Sequence, residues 1–262
     1  MTDINVNGVR LFYERQGAGT PICCVHGAGG SSAAWQVAVP ELSRYGQVII
    51  YDRRGSGRSE RPSTPRPVRV TEHAEDLFQL LTHVADRQGA VVIGRSYGGG
   101  VALHLALAHS DCVRGLVLLE PAVNGLSAEY DAWDRRFDAS IAEAARAGSD
   151  AAAERFLVEV FGESYTDALP APVQHLIRDN ASAIVADCTA PAVPLNPHAL
   201  VDIEVPVLVL RATSSPPALH AVSDAVAATV KQGRVEEVAG SHLINPASPV
   251  VLDFLDTVLG GA

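Results

Sequence analysis

Short apolar runs alternate along the chain with longer stretches in which apolar residues recur every three or four positions. The runs are PICCV (21–25), QVIIY (47–51), AVVIG (90–94), GLVLL (115–119), PVLVL (206–210) and RVEEV (234–238). Most are continuous, the pattern of strands covered on both faces in a parallel sheet. The opening INVNGVRLFYER alternates instead, and Asn7-Gly8 in its middle suits a tight turn, which predicts an antiparallel hairpin at one sheet edge. Between the runs lie helical patterns. Thr71 is a candidate N-cap, followed by Glu72, Glu75 and Asp76 where a helix dipole favours anions. Leu77, Leu80, Leu81 and Val84 then form a stripe at helical spacing. Strands alternating with helices predict an α/β chain with a doubly wound, mostly parallel sheet and right-handed crossovers.

One stretch breaks the alternation. From about Val123 to Leu200 no strand pattern appears, whereas DAWDRRFDASIAEAARAG and AAAERFLVEVFG read as helices and LPAPVQHL and TAPAVPLNP as Pro-rich punctuation. The expected organisation is a core of residues 1–122 and 201–262, with residues 123–200 as a helical cap inserted after the sixth strand. Phe156, Leu157 and Val160 need a surface to pack on, so this segment is no linker.

Composition narrows the class. The 262 residues are 47% apolar and 19% charged, which suits a globular chain with one large core. A formal charge of −10 without a long basic run argues against nucleic-acid or anionic-membrane surfaces. No basic segment followed by an apolar core opens the chain, and no apolar run reaches the roughly 18 residues of a membrane span. Cys23, Cys24, Cys112 and Cys188 lack zinc-type spacing. They read as reduced thiols of a cytoplasmic protein, with Cys23 and Cys24 packing in a strand. No metal or cofactor is expected.

The strongest chemical signal is AVVIGRSYGGG. Gly94-Arg95-Ser96-Tyr97-Gly98 is a G-x-S-x-G set between a strand and the helical pattern VALHLALAH. Such a turn needs small neighbours and lifts the serine hydroxyl to a helix N-terminus, which makes Ser96 a candidate nucleophile. Phosphate binding is the weaker reading. GRSYGGG lacks the Lys-Ser/Thr of a P-loop, and HGAGGSS has Ser32 where a dinucleotide motif needs its third glycine.

HGAGG with Trp35 downstream, YDRRGSGRS (51–59), GRSYGG and GSHLINPASP (240–249) occur in an order that resembles the α/β-hydrolase fold superfamily over essentially the whole chain. The resemblance implies an eight-stranded, mostly parallel sheet. It also implies an oxyanion hole from the backbone N–H groups of Ala28 and Tyr97, with Gly27, Gly29 and Gly30 letting the first loop curl. His26, ahead of that loop, is expected to brace it. His242 is the candidate base, in a Gly/Ser loop after the last strand and hence on the same sheet edge as Ser96. His73, His83, His104 and His109 fall on helices and read as packing or surface residues.

The third member is less direct. Most of the family places its acid after the seventh strand, where this chain reads Arg211-Ala212-Thr213-Ser214-Ser215, and the nearest carboxylate, Asp224, is well inside the next helix. A second family position follows the sixth strand, where GLVLLEPA offers Glu120. Glu120 is therefore the candidate acid, against the alternative of a strand-end carboxylate that caps a helix or pairs with an arginine. Asp52 is expected to tie a turn, Asp202 and Glu204 sit at the wrong end of the seventh strand, and Ser214 and Ser215 are left free to line the pocket or touch the cap. Cap-bearing lactone hydrolases resemble this placement. The expected activity is hydrolysis of a small apolar ester or lactone through an acyl-enzyme, with a cofactor-free perhydrolase, a C–C bond hydrolase and a non-catalytic receptor as alternatives. Oligomeric state is silent in the sequence.

Overall fold

The computed structural model describes residues 2–63, 66–85 and 89–260; the outermost residues of the expected core, 1 and 261–262, lie outside them. Eight strands form one sheet: β1 Thr2–Val6, β2 Val9–Gln16, β3 Pro21–Val25, β4 Gln47–Tyr51, β5 Ala90–Arg95, β6 Val113–Leu119, β7 Val207–Ala212 and β8 Gly233–Val238. Their order is β1-β2-β4-β3-β5-β6-β7-β8, with β2 antiparallel to both its neighbours and every other pairing parallel. The expected hairpin forms the edge, and Asn7 (φ 46°) and Gly8 (φ 72°) supply the two left-handed residues its turn needs.

The helices are α1 Val39–Leu42, α2 Val70–Val84, α3 Tyr97–Ala108, α4 Ala128–Ala145, α5 Ser149–Phe161, α6 Tyr165–Ala168, α7 Ala171–Asp179, α8 Ala181–Cys188, α9 Pro197–Leu200, α10 Pro217–Thr229 and α11 Pro249–Leu259. Helices α2, α3 and α10 cover one sheet face, α1 and α11 the other. Continuous apolar strands follow from this double cover. In β5, Ala90 and Val92 enter one core while Val91 and Ile93 enter the other, and β6 divides Leu116 and Leu118 from Val117 and Leu119 in the same way. β8 is the opposite edge, and its positions are half-buried or exposed.

Helix α2 starts two residues earlier than its sequence suggests. Arg69 holds the cap position and Thr71 lies inside the first turn. The Glu72 carboxylate reaches back to the Arg69 N–H at 3.5 Å, so a carboxylate supplies the cap contact expected of the Thr71 hydroxyl. The stripe of Leu77, Leu80, Leu81 and Val84 is buried as its spacing requires.

Six helices, α4 to α9, separate β6 from β7 in the chain. Those from α4 to α8 bury a cluster of their own around Phe137, Ile141, Phe156, Leu157, Ile177 and Ile184, against which Ala28 and Leu243 of the core loops also pack. No described helix is long and apolar enough to cross a membrane.

Candidate active site

The strand order reverses at β3, which has β4 on one side and β5 on the other. At such a switch point the loops beyond the strand ends diverge and leave a crevice. The loop after β3 carries Ala28, the turn after β5 carries Ser96, β6 runs into Glu120, and the loop after β8 carries His242.

Ser96 sits at φ 51° and ψ −122°, an uncommon conformation for a residue with a side chain. Glycines around it make the turn possible. A Cβ on Gly98 would stand 2.2 Å from the Val25 carbonyl oxygen, and one on Gly94 would stand 2.5 Å from the Gly98 oxygen. The end of β6 and the residues after it hold the turn, through Ser96 N–H to Leu119 O at 2.9 Å and Ala122 N–H to Ser96 O at 3.0 Å. The Arg95 guanidinium donates to the Ile244 carbonyl at 2.6 Å and so fastens this turn to the histidine loop.

Glu120 is completely buried and also has a positive φ, 49°. Its Oε2 lies 2.6 Å from Nδ1 of the buried His242. The Ala212 N–H donates to Oε1 at 2.8 Å and the Ser215 hydroxyl to Oε2 at 2.8 Å. Burial by itself would raise the Glu120 carboxyl; the hydrogen bond and charge of His242, with the Ala212 and Ser215 bonds, outweigh it and hold the carboxyl below its usual range. Ser215 therefore departs from expectation. Its hydroxyl is engaged with the carboxylate, because the β7 loop folds over the end of β6, and neither Ser214 nor Ser215 lines the cavity.

Ser96, Ala28, Tyr97 and His242 all line one cavity of roughly 930 Å³ of empty space including its mouth. Ser96 and His242 face the same cavity without a direct hydrogen bond between them, so the structure joins the base and acid candidates and leaves the serine as their neighbour. The Ala28 N–H donates to no other described group, and Tyr97 opens α3, where backbone N–H groups precede the helix's own ladder.

Helix α4 walls the cavity with Tyr130, Trp133 and Phe137, and α5 adds Phe156 and Val160. Of the inserted helices' Trp133, Phe137, Phe156, Phe161 and Tyr165, which a cap over the site offers as cavity lining, the first three reach the cavity. Phe161 and Tyr165 do not line it; the Phe161 ring lies 6.5 Å from that of His242, and Tyr165 bonds to Glu154. The same face of α4 carries Asp134 and Asp138, which sequence reasoning passed over; two aspartates four apart within an aromatic stripe were the available signal. Burial, then the charge of Asp134, pushes Asp138 up to about 8, so it is a neutral carboxyl near pH 7. No Lys or Arg occurs among the cavity's described lining.

Two residues singled out as structural have clear roles. His26 Nε2 accepts from the Arg53 N–H at 2.9 Å. Asp52 accepts from the N–H groups of Ser32 at 2.6 Å and Arg58 at 2.7 Å, tying the DRRGSGRS turn to the loop after β3. No described cluster of His, Cys, Asp or Glu could hold a metal ion.

Residues 20–246 match the family model of the alpha/beta hydrolase fold. The chain belongs to the α/β-hydrolase fold family. This α/β hydrolase is 30% identical over 271 residues, 95% of its chain and 94% of the other, to a protein of Azorhizobium caulinodans whose name assigns it provisionally as a carbamate hydrolase. It is 32% identical over 229 residues, 78% of each chain, to the 2-hydroxymuconate semialdehyde hydrolase of a Pseudomonas species. Among solved structures, a thermophilic esterase from Thermogutta terrifontis superposes with a TM-score of 0.78 at 25% identity, covering 99% of this chain and 100% of that one.

Proposed function

We propose that this α/β hydrolase cleaves a neutral carboxylic ester or lactone through an acyl-enzyme on Ser96. His242 takes the serine proton as the hydroxyl attacks the carbonyl carbon. Glu120 keeps the proton of the resting imidazole on Nδ1 and stabilises the imidazolium that forms. The N–H groups of Ala28 and Tyr97 receive the developing oxyanion, each such donor being worth about 10²- to 10³-fold in rate. The protonated His242 passes its proton to the leaving alcohol. Water, deprotonated by His242, then attacks the acyl carbon and releases Ser96.

One observation carries this reading: the 2.6 Å contact of Glu120 with His242 Nδ1, beside a cavity that also receives Ser96 from a strained turn. A hydrogen-bonded acid and imidazole facing a serine at a helix N-terminus suit acyl transfer. Segment 123–200 acts in this scheme as the cap, its aromatic wall at Trp133, Phe137 and Phe156 receiving the apolar part of the substrate. The lining favours a neutral substrate. A carboxylate-bearing substrate, such as the one that names the Pseudomonas relative, would find no cationic partner in the lining.

A fluorophosphonate should label Ser96 at one equivalent, and a panel of chromogenic esters and lactones should give turnover that Ser96→Ala abolishes. Turnover surviving in Ser96→Ala would refute the acyl-enzyme, and release of C–C cleavage products from carboxylate-bearing substrates alone would replace ester hydrolysis.

A further inference from the structure

Arg53 is the largest buried cation of the site region, 1% exposed, and its guanidinium serves both the core and the inserted helices. From α8, Asp187 accepts from Nη1 at 3.2 Å and from Nη2 at 2.8 Å. On the core side, Nε donates to the His26 carbonyl at 3.2 Å and Nη2 to the Gly27 carbonyl at 3.1 Å. The guanidinium carbon also stands 4.8 Å from the centre of the Tyr97 ring.

The Gly27 carbonyl and the Ala28 N–H belong to one peptide unit. That unit is planar and trans, so the two groups point in opposite directions and fixing one aims the other. The Gly27 oxygen takes three contacts: Arg53 Nη2, the Gly30 N–H at 3.2 Å and His26 Nδ1 at 2.9 Å. Because His26 Nε2 accepts the Arg53 amide, Nδ1 carries the ring proton and donates. A bond from a cation is about twice as strong as a neutral one, and donors on a carbonyl polarise the N–H at the other end of the same amide.

We propose that Arg53 is a positioning residue for oxyanion stabilisation: anchored by Asp187, it aims and polarises the Gly27–Ala28 peptide so that the Ala28 N–H faces the cavity as a strengthened donor. The inference rests on Ala28 being an oxyanion donor. It also ties the stabilising amide to α8, since Asp187 lines the cavity while holding the guanidinium.

Two variants test it. Arg53→Met combined with Asp187→Leu removes the pair without stranding a buried charge. Arg53→Lys keeps a charge opposite Asp187 but loses the planar fork that reaches both carbonyls. Rates are taken per fluorophosphonate-labelled site, together with KM and the affinity for a trifluoromethyl ketone, whose serine adduct carries an oxyanion. In both variants kcat per labelled site should fall about 10- to 100-fold, within the worth of one oxyanion donor. KM should stay within about twofold, and ketone affinity should fall in step with kcat. Unchanged kcat per site and unchanged ketone affinity, even with a lower labelled fraction or a lower Tm, would overturn the proposal and leave Arg53 a purely structural residue. Ser96→Ala run alongside separates the two levels. Surviving turnover there removes the acyl-enzyme itself, whereas a dead Ser96→Ala beside fully active Arg53 variants removes only the role of Arg53.

Discussion

The ends of β6 and β7 lie side by side, yet they contribute opposite chemistry. β6 runs into a buried carboxylate at positive φ, Glu120. β7 ends at Ala212, whose amide donates to that carboxylate, and runs into a loop without an acid, whose Ser215 adds a hydroxyl. The two ends form one holder: β6 supplies the charge, and β7 and its loop supply donors that join His242 in keeping it ionised against the cost of burial. Moving a buried charge to a neighbouring strand thus asks the vacated loop to supply hydrogen-bond donors in place of an acid.

Four measurements break or sharpen that contrast. The largest effect should come from Glu120→Gln, which removes the charge and keeps the shape; kcat should fall about 10³- to 10⁴-fold, as when the carboxylate orienting a catalytic imidazole is neutralised. Ser215→Ala deletes one donor to the charge. It should cost about 1.5–3 kcal/mol in a urea titration, the worth of a hydrogen bond to a charged group, and lower kcat by up to about tenfold. A third effect is pH-dependent. The folded Glu120 titrates below its unfolded value of about 4.3, so its stabilising contribution is complete above that value and disappears as pH falls through the lower folded value. Urea midpoints between pH 5 and 3 should therefore fall less steeply in Glu120→Gln than in the parent, and equal slopes would contradict the lowered carboxyl. The smallest effect belongs to Ser214→Ala. Ser214 uses its backbone N–H, to the Gly240 oxygen at 2.9 Å, and its side chain makes no described hydrogen bond. Activity should stay within about twofold of the parent, a range ordinary for a substitution that touches no partner.

Much of this was legible in the linear pattern. Strands covered on both faces are apolar at every position, so β3 to β7 announced themselves and β8 only faintly. The turn at Ser96 was readable because Gly94 and Gly98 meet backbone atoms of other elements, and no larger residue could stand there. His242 could be nominated because loops after parallel strands share a sheet edge, and Glu120 because the family resemblance offers a second acid position after the sixth strand.

Other features depended on distances between elements far apart in the chain. Nothing around Ser215 indicated that its hydroxyl would serve Glu120, 95 residues away. Nor did DRRGSGRS show that Arg53 would meet Asp187 across 134 residues. Asp134 and Asp138, passed over in the sequence, line the cavity because packing turns their face of α4 towards it. Periodicity encodes which side of an element is buried, and glycine encodes where backbone must approach backbone; both are local properties that a sequence states directly. Which donor meets which acceptor inside depends on how whole elements pack, and that was decided only when the chain closed on itself.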